Sequence, residues 1–172
     1  MKPVKRLTLL RHAKAQPGDS STPDKDRSLN ERGEHDAPLM GRRLRESGAR
    51  PSLILTSPAR RSLQTAQLVA AQLGYPREFL QREIELYLAA PRDILQVLTR
   101  QDDAFNDIII CGHNPGLTEL ANQLTDARID NLPTCGLVVI EAPIRQWKQM
   151  TGGGILLLFD SPRNARGQTG AD

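Results

Sequence analysis

The chain has 172 residues, with 23 Lys and Arg against 20 Asp and Glu, a net charge of +3, and only three Phe, two Tyr and one Trp. That length suits one domain with its own core, and dispersed basic residues with so few aromatics argue against nucleic acid, which would need a basic stripe interleaved with stacking rings. No apolar run approaches the ~20 residues that span a bilayer, residues 1–6 lack the apolar stretch of a signal peptide, and Cys111 and Cys135 make neither a disulfide framework nor a C-x-x-C pair, so the composition predicts a cytoplasmic protein without membrane contact.

In chain order, residues 5–10 read as a short buried strand that runs out at Arg11-His12. A polar, Pro- and Gly-containing loop over residues 14–30 follows. Ala37, Met40 and Leu44 mark a helix ending near Ser47-Gly48, with Pro38 either in its first turn or kinking it. Residues 53–56 form a second buried strand. Ser57-Pro58 then reads as an N-cap followed by proline at the first helical position, and Leu63, Ala66, Val69, Ala70 and Leu73 carry the helix to Gly74. A loop leads past Glu85-Leu86-Tyr87 to a Pro-started helix over residues 91–100. Residues 107–111 are the most apolar strand and enter Gly112-His113-Asn114-Pro115-Gly116, after which residues 117–124 form another helix. Residues 137–141 and 155–159 read as the last strands, and residues 163–172 as a polar, disordered tail beyond a single domain over residues 1–162. Strands alternating with helices predict an α/β fold: a single-domain three-layer sandwich, its sheet mostly parallel, with helices on both faces.

Three strand-to-helix junctions carry polar residues of one chemical kind: Arg11-His12, Ser57-Pro58-Ala59-Arg60-Arg61 and Gly112-His113. In a parallel sheet such junctions share one edge, so the side chains can converge there. Two arginines and two histidines at one helix N-terminus make a site for a dianion. Rival phosphate chemistries lack their residues. There is no G-x-x-x-x-G-K-[ST] loop. The positions six residues after the cysteines are Leu117 and Glu141 rather than arginine. Asp24-Lys25-Asp26 follows turn-type residues where an aspartyl-phosphate site needs a buried strand. The histidines number three, too few for a metal cluster at close spacing, and His35 lies on a polar helical stretch. A histidine nucleophile is the best remaining candidate, with no metal and no cofactor.

These residues resemble the histidine phosphatase superfamily. Leu9-Leu10-Arg11-His12-Ala13 is similar to its R-H-G signature, with Ala13 in place of the glycine. Residues 57–66 resemble its S-P-x-x-R-x-x-Q-T-A segment, Cys111-Gly112-His113-Asn114 its strand-end histidine, and residues 28–33 its L-T-x-x-G element. The short chain and Glu85-Leu86-Tyr87-Leu88-Ala89 look most like the SixA phosphohistidine phosphatase branch, with a phosphoglycerate mutase-like fold. The resemblance implies that His12 is the nucleophile, passing through a phosphohistidine intermediate, and that Arg11, Arg61 and His113 hold the phosphoryl oxygens, with Asn114 beside them. Arg61 rather than Arg60 matches the motif arginine. Glu85 is the candidate general acid, and a surface glutamate is its alternative. The expected substrate is phosphohistidine on a protein, such as a histidine-containing phosphotransfer domain, reached through an open site without an inserted lid. Two alternatives stay open: a small-molecule phosphomonoesterase or mutase, and a non-catalytic module that binds phosphoproteins.

Overall fold

The computed structural model describes residues 2–164. Strands β1 (Lys5–Arg11), β2 (Leu53–Thr56), β4 (Asp107–Gly112) and β5 (Leu137–Ala142) are almost wholly buried. Helices cover both faces of their sheet, which leaves no watered side for polar residues to occupy. The edges are β3 (Gln81–Arg82) and β6 (Ile155–Asp160), and the strand order is β3-β2-β4-β1-β5-β6. The first four run parallel, β5 is antiparallel to β1, and β6 is antiparallel to β5. The sheet is therefore mostly parallel, as the alternation of elements predicts.

Side-chain alternation along the strands divides the core in two. Leu7, Leu9, Leu53, Leu55, Ile108 and Ile110 face α3 (Pro91–Thr99) and α4 (Gly116–Leu124) through Ile94, Leu98, Leu117 and Leu120. Leu10, Ile54, Ile109, Cys111 and Val139 face α1 (Glu31–Glu46) and α2 (Arg60–Leu73) through Met40, Leu44, Ala66 and Val69. This is the three-layer sandwich expected from the sequence.

Several boundaries differ from the sequence reading. Helix α1 starts at Glu31, where the Asn30 side chain accepts the Gly33 N–H at 2.9 Å, and this leaves Pro38 in the helix interior rather than its first turn. Helix α2 starts at Arg60, two residues later than Ser57-Pro58 suggested, although it ends at Gly74 as expected. Strand β3 was not foreseen, because two exposed residues carry no hydrophobic period. Of the expected tail, Asn164 is held by the Arg43 Nη2 donating to its carbonyl at 2.9 Å, and residues 165–172 lie outside the described residues.

Two consequences of this topology shape the site. Strands β2, β4 and β1 are adjacent, and Thr56 and Leu10 both register with Cys111, so their carboxyl ends finish side by side. Close packing then fixes the first loop. A Cβ on Gly33 would stand 2.2 Å from the Lys14 carbonyl oxygen, so only glycine lets the start of α1 approach the chain just beyond His12.

Candidate active site

His12 follows β1 and is still held as if in the sheet: its N–H donates to Gly112 O at 3.1 Å and its carbonyl accepts from the Cys135 N–H at 3.0 Å. The ring is fixed as well. Nδ1 lies 2.8 Å from the Ala13 carbonyl oxygen. A carbonyl only accepts, so Nδ1 carries the proton and Nε2 keeps its lone pair. Ala13 is fully buried, and its N–H donates to Thr65 Oγ1 at 2.9 Å, so the methyl that replaces the motif glycine fits without disturbing the turn.

Arg61, in the first turn of α2 and 2% exposed, reaches into the same space. Its Nε donates towards His12 Nε2 at 3.4 Å, and its Nη2 lies 3.5 Å from His113 Nδ1. His113 follows β4 and places Nε2 2.7 Å from Ser57 Oγ at the end of β2. With Arg61 donating to Nδ1, the His113 proton sits on Nε2 and is given to Ser57. The two imidazole centroids are 5.3 Å apart. Burial, with help from the neighbouring guanidinium groups, pushes His12 down to about 4. Burial first, then the charges of His12 and Arg61, pushes His113 down to about 3. Both rings are thus neutral at pH 7, although cations surround them.

A carboxylate completes the cluster, and sequence reading had passed over it. Asp24, in the loop between β1 and α1, receives Arg61 Nη2 on its Oδ2 at 3.0 Å and Arg61 Nη1 on its backbone carbonyl at 2.8 Å. The Tyr87 hydroxyl donates to the same Oδ2, and Arg27 forms an ion pair with Oδ1 at 3.0 Å. The hydrogen bond from Tyr87, followed by those from Arg61 and Arg27, holds the Asp24 carboxyl well below the usual carboxylate range. Tyr87 also stands edge-on to His113, with ring centroids 5.5 Å apart. The site is therefore less open than the short chain suggests, since the first loop lays Asp24 across Arg61. Asp24 offered only an acidic turn as a sequence signal. Ser57 stood inside a motif that was read as a helix cap.

The remaining candidates make no hydrogen bond to this cluster, although the Arg11 charge helps to lower both histidines. Arg11 Nη1 donates to Leu132 O at 2.9 Å, while its Nε is buried without a partner. The amide of Asn114 is committed internally: Nδ2 donates to Leu132 O at 2.8 Å and to Asn131 Oδ1 at 3.0 Å, and Oδ1 accepts from Thr118. Asn114 thus holds the carbonyl on which Arg11 rests. Glu85 is exposed in the turn over Ile84–Leu86 and pairs with Arg100 at 3.3 Å, an ion pair that lowers its pKa and engages its carboxylate outside the cluster. Arg60 and His35 are exposed. Among the described residues no group of three or more His, Cys, Asp or Glu converges as a metal site.

The family model of the histidine phosphatase superfamily, branch 1, matches residues 7–90. A chloroplastic protein of Arabidopsis thaliana is 32% identical over 153 residues, covering 84% of this chain and 70% of its own. A Mycobacterium tuberculosis protein is 31% identical over 165 residues, covering 90% of this chain and all of its own. The chain belongs to the histidine phosphatase superfamily. Within it the build is SixA-type. The SixA protein of Agrobacterium tumefaciens superposes with a TM-score of 0.76 at 28% identity over 92% of this chain and 98% of its own. The protein histidine phosphatase SixA complexed with tungstate shares the fold at 20% identity, with a TM-score of 0.76 over 91% of this chain and 97% of its own. This family and build support a phosphatase, a hydrolase, and the fold is the superfamily's phosphoglycerate mutase-like one. Among the described residues no helix is long and apolar enough to cross a membrane.

Proposed function

We propose that this phosphatase removes the phosphoryl group from phosphohistidine on a protein, with His12 as nucleophile and without a metal. The observation that carries this reading is a half-buried, unprotonated His12 Nε2 facing Arg61 and His113 with no protonated carboxylic acid beside it. A phosphoester expels a basic alkoxide and gains much from an enzyme acid. Phosphohistidine expels an imidazole, which leaves neutral when its distal nitrogen already bears a proton. Asp24 is held ionised and Glu85 is paired outward with Arg100, so the site suits the second leaving group.

The steps follow from the tautomers. The His12 Nε2 lone pair attacks phosphorus, the P–N bond of the substrate breaks, and its electron pair returns to the substrate imidazole. Arg61 and Arg11 stabilise the charge on the three equatorial oxygens. His113 gives its Nε2 proton to Ser57, so it donates to the phosphoryl group only once Nδ1 is also protonated. A phosphoryl group that arrives singly protonated, its second pKa lying near 6, instead donates its own P–OH hydrogen bond to the His113 Nδ1 lone pair. Water then attacks phosphorus and the P–Nε2 bond breaks. Both water protons leave with the phosphate, and the His12 lone pair is restored. The free, buried thiols of Cys111 and Cys135 suit the cytoplasmic setting expected from the sequence.

Initial rates on a phosphohistidine protein, phosphoserine and sugar phosphates, with and without Glu85→Gln, test the substrate class. The expected result is preference for the phosphohistidine protein, and a change under about twofold on replacing the exposed Glu85. A loss confined to phosphoesters would favour a small-molecule phosphomonoesterase instead.

A further inference from the structure

Beside Arg11, on the side of the sheet where β6 ends, lies a polar cavity of about 460 Å³. Its walls bring together Arg11, Lys14, Arg32, Asn131 and Arg163, with Asp36 as the one carboxylate among them. That carboxylate is already engaged, by Arg32 Nε at 3.0 Å and His35 Nδ1 at 3.2 Å. Lys14 and Arg163 form no ion pair among the described residues, and Arg11 rests on a neutral carbonyl. The cavity therefore gathers cationic side chains that the fold does not neutralise, at a place where their mutual repulsion costs stability.

The backbone beneath the unpaired cations is fixed. Lys14 O accepts the Asn30 N–H at 3.0 Å, Gln16 N–H donates to Ser28 O at 2.8 Å, and Gly33 closes against Lys14 from above. Arg163 lies between Ser161 and Asn164, whose carbonyls both accept from Arg43, at 2.8 and 2.9 Å. Asn131 is held by Asn114. Rigid supports under uncompensated charge are what an anion-binding wall requires, because little ordering is left to be done on binding. The cavity neighbours the phosphoryl site through Arg11, which lines it, precedes His12 in the chain and lies close enough for its charge to help lower both His12 and His113.

We infer that this cavity receives an acidic side chain of the phosphoprotein substrate while the phosphohistidine faces His12, so that the enzyme selects acidic phosphoprotein surfaces over free phosphoryl donors. The inference rests on the phosphohistidine reading above and adds the second contact point of the partner. Lys14 and Arg163 are exposed and, among the described residues, carry no structural bond through their side chains, so they can be changed without touching the cradle.

The test compares the wild type with Lys14→Glu/Arg163→Glu and the milder Lys14→Gln/Arg163→Gln. The substrates are an acidic phosphotransfer domain carrying one phosphohistidine, and phosphoramidate as the small donor. For the protein substrate the charge-reversed variant is expected to raise KM about tenfold with kcat retained, the neutral variant less, and the difference to shrink at high salt. For phosphoramidate kcat/KM should stay within about twofold. An unchanged KM on the protein, or an equal fall on both substrates, would overturn the inference and leave the phosphohistidine reading standing. A wild type that turns over phosphoramidate but not the phosphoprotein would overturn both, and that result is visible before any variant is made.

Discussion

His113 and Glu85 both lie just past a strand on the same half of the sheet, yet the fold treats them in opposite ways. His113 hangs from β4, a strand buried on both faces, and its two ring nitrogens are fixed by Ser57 and Arg61. Glu85 hangs from a turn after the two exposed residues of β3, and its carboxylate turns to Arg100. The site thus has a rigid floor of His12, Arg61, His113 and Ser57, and a rim of loop residues in which Asp24 and Tyr87 close over Arg61. Chemistry that must not shift by an ångström is carried by strand ends and the start of a helix. Contacts that exchange with ligand are carried by loops.

If the floor does the chemistry, Arg61→Ala should cost about 10²–10³-fold in kcat on a phosphohistidine protein, since it removes the guanidinium that faces both rings. Steady-state rates beside a far-UV spectrum of the folded variant would show it, and a loss confined to KM would break the distinction. The next largest effect is electrostatic. NMR titration should place His12 near pH 4 and His113 near pH 3 in the free enzyme. The unfolded chain already takes up protons at these two sites near pH 6.5. Stability is therefore complete above about pH 6.5 and declines as the pH falls towards 4. Chemical denaturation at pH 7 and pH 5 would measure that slope, and a midpoint near 6.5 for either ring would show that the fold does not depress that ring.

The rim should respond more mildly and in the other direction. Asp24→Asn is expected to tighten tungstate or phosphate binding roughly fivefold, because an anion then no longer competes with a carboxylate for Arg61. Isothermal titration reads this without turnover. A collapse of kcat with unchanged anion affinity would make Asp24 a proton donor and move the chemistry to the rim.

The same division explains what could be read from the sequence. His12, Arg61 and His113 sit at the ends of strongly patterned apolar runs, and the parallel topology brings those ends together wherever the intervening loops go. The sandwich itself followed from the same runs. Asp24 could not be found this way, since its meeting with Arg61, 37 positions on, depends on the path of an irregular loop. The sequence placed Glu85 near the site but said nothing of Arg100, whose charge turns it outward. Asn114 matched a motif position, yet its amide holds Leu132 and so supports Arg11 from behind. Ser57 shows the limit of local rules: its hydroxyl takes the Ala59 N–H at 3.2 Å as a cap would, and the same oxygen also orients His113.

The most direct test of the account is to expose the enzyme briefly to a labelled phosphohistidine protein, quench in alkali, and map the labelled peptide. An acid-labile, alkali-stable phosphoryl group on His12, absent from His12→Ala, is the predicted result. Label on another residue, or phosphate release at full rate from His12→Ala, would contradict it.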